Sequence, residues 1–197
     1  MARPVQVDRN NALKSAKRLF WEQGYTATSM TQLLEATGMG SGSFYAAFGN
    51  KQGLFERVIE DYLQVSMHHF AKTRESRNGL DAILGFLELT LVDVSDAERH
   101  KGCLLVNSAL ELDDVDDELY AHVQNALDHL HSAVHECIEE AANGGTLRDD
   151  IEREDAVGLC MSLLQGLRVE SRLGLSRESA RRKVDLWFKL ISKPHKE

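Results

Sequence analysis

The stretch TSMTQLLEATGMGSGSFYAAFGNK, residues 28 to 51, decides the fold of this 197-residue chain. Ser29-Met-Thr-Gln32 has the capping-box spacing: the serine oxygen accepts from the third helical N–H and the glutamine reaches back to the serine N–H, so a helix starts here. It runs to about Thr37. Gly38-Met39-Gly40 is long enough only for a tight turn, and Ser41 to Phe48 follows as a second short helix before Gly49-Asn50 stops it. Two short helices joined by a three-residue, glycine-containing turn make a helix-turn-helix. In the second helix Phe44 and Phe48 stand at i and i+4 and pack it inward, while Ser41, Gly42, Ser43, Ala46 and Ala47 leave a slim outer face.

A slim face of this kind fits a DNA major groove. Serine hydroxyls donate to or accept from several base edges, alanine methyls meet a thymine methyl, and glycine lets the backbone approach phosphate. Tyr45 carries a hydroxyl suited to a phosphate oxygen, and Lys51 adds a cation among the first N–H groups of the next helix. The competing reading of the same residues is an ordinary helix pair whose glycines serve close packing.

Outward from the motif the pattern stays helical. Leu13, Ala16, Leu19 and Phe20 recur at three- and four-residue steps, with Gly24 as a left-handed residue just past the end of that first helix. Leu54, Phe55, Val58, Ile59, Tyr62 and Leu63 form the stripe of a longer fourth helix capped by Asn50. Stripes continue with Leu80, Ile83, Leu84, Leu87 and Leu91, then with Leu119, Val123, Leu127, Leu130, Val134 and Ile138, which Asn143-Gly144-Gly145 closes. Val157, Cys160, Leu163, Leu164 and Leu167 carry the next helix, and Val184, Trp187, Phe188 and Ile191 the last. The acidic run 111–118 lacks the glycine of a calcium loop and reads as a charged turn that caps the following helix. Pro4 and Pro194 are the two prolines, both near the ends, so the strongest helix breaker is missing from the interior. The expectation is an all-α chain of about nine helices: a helix-turn-helix DNA-binding domain in residues 1–50 and a helical body in 51–197.

Composition narrows the function classes. A hydrophobic content of 43% supports a core. No apolar run approaches a bilayer span and MARPVQVDRNN lacks the apolar stretch of a signal peptide, so a cytoplasmic protein without membrane contact is expected. Cys103, Cys137 and Cys160 include no CxxC, which points to thiols rather than a disulfide framework or zinc ribbon. His131 and His135 have a spacing that can hold a metal, but no second matched pair accompanies them, so no metal or other cofactor is expected. Neither GxxxxGK[ST] nor GxGxxG occurs, and no nucleophile has an evident base, which argues against an enzyme. The net charge of −8 alone argues against nucleic acid, but its distribution does not. Residues 1–50 hold five cations and three anions, net +2, and the remainder carries −10.

The run from Ala12 to Phe55, with LFWEQGY at 19–25, TSMTQLLEATGMGSGSFYAAF at 28–48 and NKQGLF at 50–55, resembles the DNA-binding head of the TetR family of bacterial transcriptional regulators. The resemblance implies an all-helical homodimer whose heads bind near-palindromic double-stranded operator DNA and whose body binds a small-molecule effector. Carried over by position, Thr28, Ser41, Ser43, Tyr45 and Lys51 fall where family members contact phosphates or bases. Gly42 lies among them, and Arg3 in the N-terminal arm adds a minor-groove or phosphate contact. Two positions depart from the pattern: Gly40 stands where many relatives place a capping serine or threonine, and Ser41 where lysine or arginine is frequent. Weaker phosphate attraction follows, and no relative's operator sequence transfers.

The same resemblance implies dimerisation through residues 154–173 and 177–192, with Leu159, Leu163, Gly166, Leu167, Val184, Trp187 and Phe188 at the interface. An effector pocket is expected near Phe86, Cys103, Val106, Asn107, Leu110, Val123 and Leu127. KGCLLVNSALEL, residues 101–112, is similar to a body helix of a TetR subgroup that includes a sensor of electrophiles. Lys101 and a helix N-terminus beside Cys103 favour the nucleophilic thiolate, whereas a plain core cysteine is the competing reading. The leading functional expectation is a ligand-responsive repressor, and the alternative a redox- or electrophile-sensing repressor switched through Cys103.

Overall fold

The computed structural model describes residues 9–194. Ten α-helices carry them: α1 (Arg9–Gln23), α2 (Met30–Thr37), α3 (Ser41–Phe48), α4 (Lys51–Arg74), α5 (Gly79–Leu87), α6 (Asp96–Arg99), α7 (Leu104–Leu112), α8 (Asp117–Asn143), α9 (Arg153–Arg172) and α10 (Arg177–Ile191). The all-helical class is as expected, and α6, a single turn of four residues, brings the count to one above nine. Among the described residues no strand forms, and one isolated antiparallel bridge joins Leu147 to Ser192. No helix among them is long and apolar enough to cross a membrane.

Local chemistry sets the helix ends where the sequence places them. Gly24 adopts φ +86°, and its N–H donates to the Phe20 carbonyl at 2.8 Å. The capping box forms at Ser29: its hydroxyl accepts from the Gln32 N–H at 3.2 Å, and the Gln32 side-chain oxygen accepts from the Ser29 N–H at 2.8 Å. Gly38 ends α2 in the left-handed region at φ 65°. Asn50 Oδ1 accepts from the Gly53 N–H at 2.8 Å and starts α4, and Asp116 Oδ1 accepts from the Leu119 N–H at 3.0 Å and caps α8. One element has no sequence signature. After α5 the chain continues as a π-helical turn, Glu88–Val92, closed by the Asp93 N–H on the Glu88 carbonyl at 2.9 Å.

The chain forms two compact units. The first takes in the described residues up to Leu63 together with Leu104–Ala126, and the second takes in Gln64–Cys103 and the residues from Leu127 onward. Packing therefore divides the chain differently from the 1–50 and 51–197 expected from the motif. The reason lies in the first turns of α4, where Leu54, Phe55, Val58 and Ile59 are buried and the Phe55 ring meets Phe20 edge-on at 5.1 Å. Those turns complete the core that Ala12, Ala16, Leu33 and Phe44 begin.

In the second unit Phe70, Ile83, Phe86, Leu87, Val134, Ile138, Leu164, Val184 and Trp187 share one apolar core. Around it Glu88 pairs with Arg77 at 3.3 Å and with Arg181 at 3.4 Å, and Arg181 also reaches Asp93 at 3.1 Å. These pairs lie at the surface and contribute little beyond ~1 kcal/mol each.

Candidate nucleic-acid interface

The helix-turn-helix lies within the first unit, and α3 carries its outward face. Phe44 is 0% exposed and its ring centre lies 5.5 Å from that of Phe48, so the inward side of α3 is committed to the core. Ser41, Gly42, Ser43 and Ala46 are exposed, and Tyr45 is 49% exposed. Gly40, at the position before α3, supplies no side-chain cap, so the first N–H groups of this helix have no capping oxygen. That is the structural counterpart of the departure seen in the sequence.

Lys51 opens α4 three residues beyond the end of α3 and is half-buried, with its ammonium 4.3 Å from the centre of the Tyr25 ring. Burial pushes its pKa below the ordinary lysine range, and Glu111 opposes that shift. The Tyr25 phenol is pushed up, chiefly by burial and then by Asp116 and Glu56. On α1, Lys14 and Arg18 are exposed while Lys17 is tied to Asp61 at 2.6 Å.

Thr28 requires a correction. It is 1% exposed and its hydroxyl donates to the Gly24 carbonyl at 2.6 Å, so its side chain closes the turn before α2 instead of facing a ligand. The expected contact at Arg3 lies outside the described residues.

One participant escaped the sequence. Glu111, near the end of α7, accepts from the Tyr25 N–H at 2.9 Å and the Thr26 N–H at 2.6 Å, 86 and 85 residues away along the chain. Nothing local to Glu111 signals this; in sequence it is the first residue of an acidic run.

The residues expected around an effector are distributed over both units. Phe86, Cys103 and Leu127 belong to the second, and Val106, Asn107, Leu110 and Val123 to the first. Leu110 does not fit a pocket: α7 turns Leu104, Ser108 and Leu112 inward at four-residue steps, which places Leu110 on the opposite side at 75% exposure. Phe86 is buried against Phe70, ring centres 5.0 Å apart. A cleft of about 1170 Å³ in the second unit is lined instead by residues that include Arg77, Asn78, Asp81, Glu140 and Thr146.

The expected dimer residues also divide. Leu167, Val184 and Trp187 are buried in the core of their own chain, so they have almost no surface left to give a partner. Leu159 is 53% exposed, Gly166 is exposed, and Leu163 and Phe188 are half-buried. The outward apolar residues of α10 are Leu186 and Leu190, 57% and 55% exposed. Their i, i+4 spacing was present in the sequence but lies on the face opposite the stronger 184, 187, 188, 191 stripe.

Of the three cysteines, none of which forms a disulfide, Cys103 is half-buried and the others are buried. Burial pushes the Cys137 thiol up to about 11, against the Arg74 guanidinium donating to its sulfur at 3.4 Å, and pushes Cys160 up to about 12.

A capped α2, a glycine turn, and an α3 anchored by Phe44 with a slim polar outer face are the parts of a DNA-binding transcriptional regulator. Residues 12–58 match the bacterial regulatory proteins of the tetR family, and residues 79–186 match the tetracyclin repressor-like C-terminal domain. The chain belongs to the TetR family. It is similar to the HTH-type transcriptional repressor ComR of Escherichia coli (strain K12), 28% identical over 199 residues that cover 96% of this chain and 93% of ComR. It is also similar to a cysteine mutant of the TetR family transcriptional regulator CifR, solved in complex with 26 bp double-strand operator DNA. That structure matches with a TM-score of 0.81 and 26% identity, over 96% of this chain and 100% of that one. The reduced form of E. coli NemR shares the fold, with a TM-score of 0.81 at 18% identity over 95% of this chain and 99% of that one.

Proposed function

We propose that this regulator is a ligand-responsive repressor that binds double-stranded operator DNA as a homodimer and leaves it when a small molecule binds the body. The observation that carries this reading is the face of α3: Phe44 fully buried behind it, and Ser41, Gly42, Ser43 and Tyr45 exposed on it. The likeness to operator-bound CifR supports it. In this reading residues 1–50 serve as the head and 51–197 as the effector and dimerisation body. The serine hydroxyls read base edges, Tyr45 and Lys51 meet phosphates, and Arg3 extends the contact from the N-terminal arm. Thr28 contributes indirectly, by closing the turn that starts α2.

Dimerisation uses Leu159, Leu163, Gly166, Leu186 and Leu190, and presents two heads to successive major grooves about 34 Å apart. An effector that binds better to a body in which that spacing is lost shifts the population off the operator, and needs no contact with DNA. The acidic body does not oppose this, because binding follows where the cations lie.

The test is anisotropy of labelled DNA fragments from upstream of the protein's own gene, at stated salt. The unsubstituted protein prefers one fragment over random DNA, and Tyr45→Phe weakens that complex about 100-fold, as expected for a hydrogen bond to a charged oxygen of about 1.5 kcal/mol lost from each of two heads. Equal affinity for every fragment would contradict the reading. A second reading, release by an electrophile through Cys103, is favoured by this cysteine being the half-buried one of the three. Cys103→Ser protein then stays on its operator in the presence of the electrophile, and unchanged release removes that reading.

A further inference from the structure

The face of α3 leaves Glu111 without a part in the contact, yet its carboxylate is engaged by two backbone donors from a distant turn. Both of its oxygens are used: one accepts from the Tyr25 N–H at 2.9 Å, the other from the Thr26 N–H at 2.6 Å. These N–H groups lie just beyond the end of α1, after Gly24 at φ +86° has turned the chain out of the helix. Gly24 makes the approach possible. A Cβ there would lie 2.5 Å from a Glu111 carboxylate oxygen, and φ +86° disfavours any other residue.

The gripped turn leads directly into the reading head. Thr28 closes it through the Gly24 carbonyl, Ser29 caps α2, and the Tyr25 ring carries the Lys51 ammonium. One carboxylate on α7 therefore fixes the segment that sets where α2 begins and where Lys51 rests. We propose that Glu111 is a positioning residue for operator binding: it holds the turn between α1 and α2, and Lys51 with it, in the DNA-binding arrangement. A movement of α7 that withdraws the carboxylate then weakens DNA binding without removing any group that touches DNA. This inference rests on the DNA-binding reading above.

The charge of Glu111 makes the test discriminating. If the residue were only an anion near the basic head, neutralising it would remove repulsion and strengthen binding to a polyanion. A positioning residue has the opposite sign. Glutamine keeps one acceptor but turns an amide N–H₂ toward the second backbone donor, so Glu111→Gln loosens the grip at nearly unchanged size.

The experiment measures the affinity of unsubstituted and Glu111→Gln protein for the preferred upstream fragment over a range of salt, beside thermal unfolding of each free protein. The expected result is about 10-fold weaker binding, with a salt slope shallower than the parent's by no more than the share of Lys51. Equal or tighter binding by a folded Glu111→Gln protein overturns the proposal. If the variant does not fold, amide exchange in the unsubstituted protein decides: Tyr25 and Thr26 are protected and slow further on adding the fragment, and rapid exchange indifferent to DNA overturns the proposal. Failure of the unsubstituted protein to prefer any fragment sinks the DNA-binding reading, whereas equal binding by both proteins sinks only the role of Glu111.

Discussion

Replacing Leu186 and Leu190 together by alanine separates a partner-facing surface from a core within one helix. Both side chains are more than half exposed on the isolated chain, 57% and 55%, so the energy they gain in a dimer is the part still facing water. Leucine to alanine removes three carbons, and at about 0.8 kcal/mol per buried CH₂, scaled by the exposed fraction, each leucine contributes about 1.3 kcal/mol. A twofold dimer contains four of these leucines, which gives about 5 kcal/mol and a rise in dimer dissociation constant on the order of 10³ to 10⁴. Sedimentation equilibrium reads this constant directly. Thermal unfolding of the monomeric variant should change little, because exposed side chains are being shortened. Val184→Ala, on the buried face of the same helix, should do the reverse: lower the unfolding free energy by about 1 to 2 kcal/mol through a cavity, with a much smaller effect on association. A Leu186→Ala/Leu190→Ala protein that dimerises as tightly as the parent would refute the assignment of this face.

Lys51→Gln removes one cation per head. If each Lys51 neutralises a phosphate, the slope of log K against log salt falls by about 0.9 per head, or about 1.8 for the dimer. A slope equal to that of the parent would confine Lys51 to its contact with the Tyr25 ring. Thiol chemistry provides a pH-dependent check. Burial raises the Cys137 and Cys160 thiols to about 11 and about 12, so both remain protonated through the neutral range and become nucleophilic only as pH rises toward those values. Mass spectrometry after brief treatment of the native protein with an electrophile at neutral pH should find a single adduct, on Cys103. A second adduct under native conditions would show that the buried thiols open to solvent.

The sequence by itself determined the helical class, the ends of the head helices and the motif, because those features depend on neighbours within four residues. A serine and a glutamine three apart make a capping box wherever the chain places them, and Gly24 and Gly38 end helices by their own backbone freedom. The slim face of α3 was legible for the same reason, since Phe44 and Phe48 define its inward side by helical period alone.

Tertiary structure decided everything that depends on which of two apolar faces meets the core. In α10 both the 184, 187, 191 face and the 186, 190 face are apolar, and only packing shows that the first is interior and the second faces water. It also decided that Leu110 points outward, that the Thr28 hydroxyl turns back on Gly24, and that Glu111 grips a turn 86 residues away. Side-chain periodicity is a property of one helix, whereas burial and long-range hydrogen bonds belong to pairs of segments that sequence distance does not bring together.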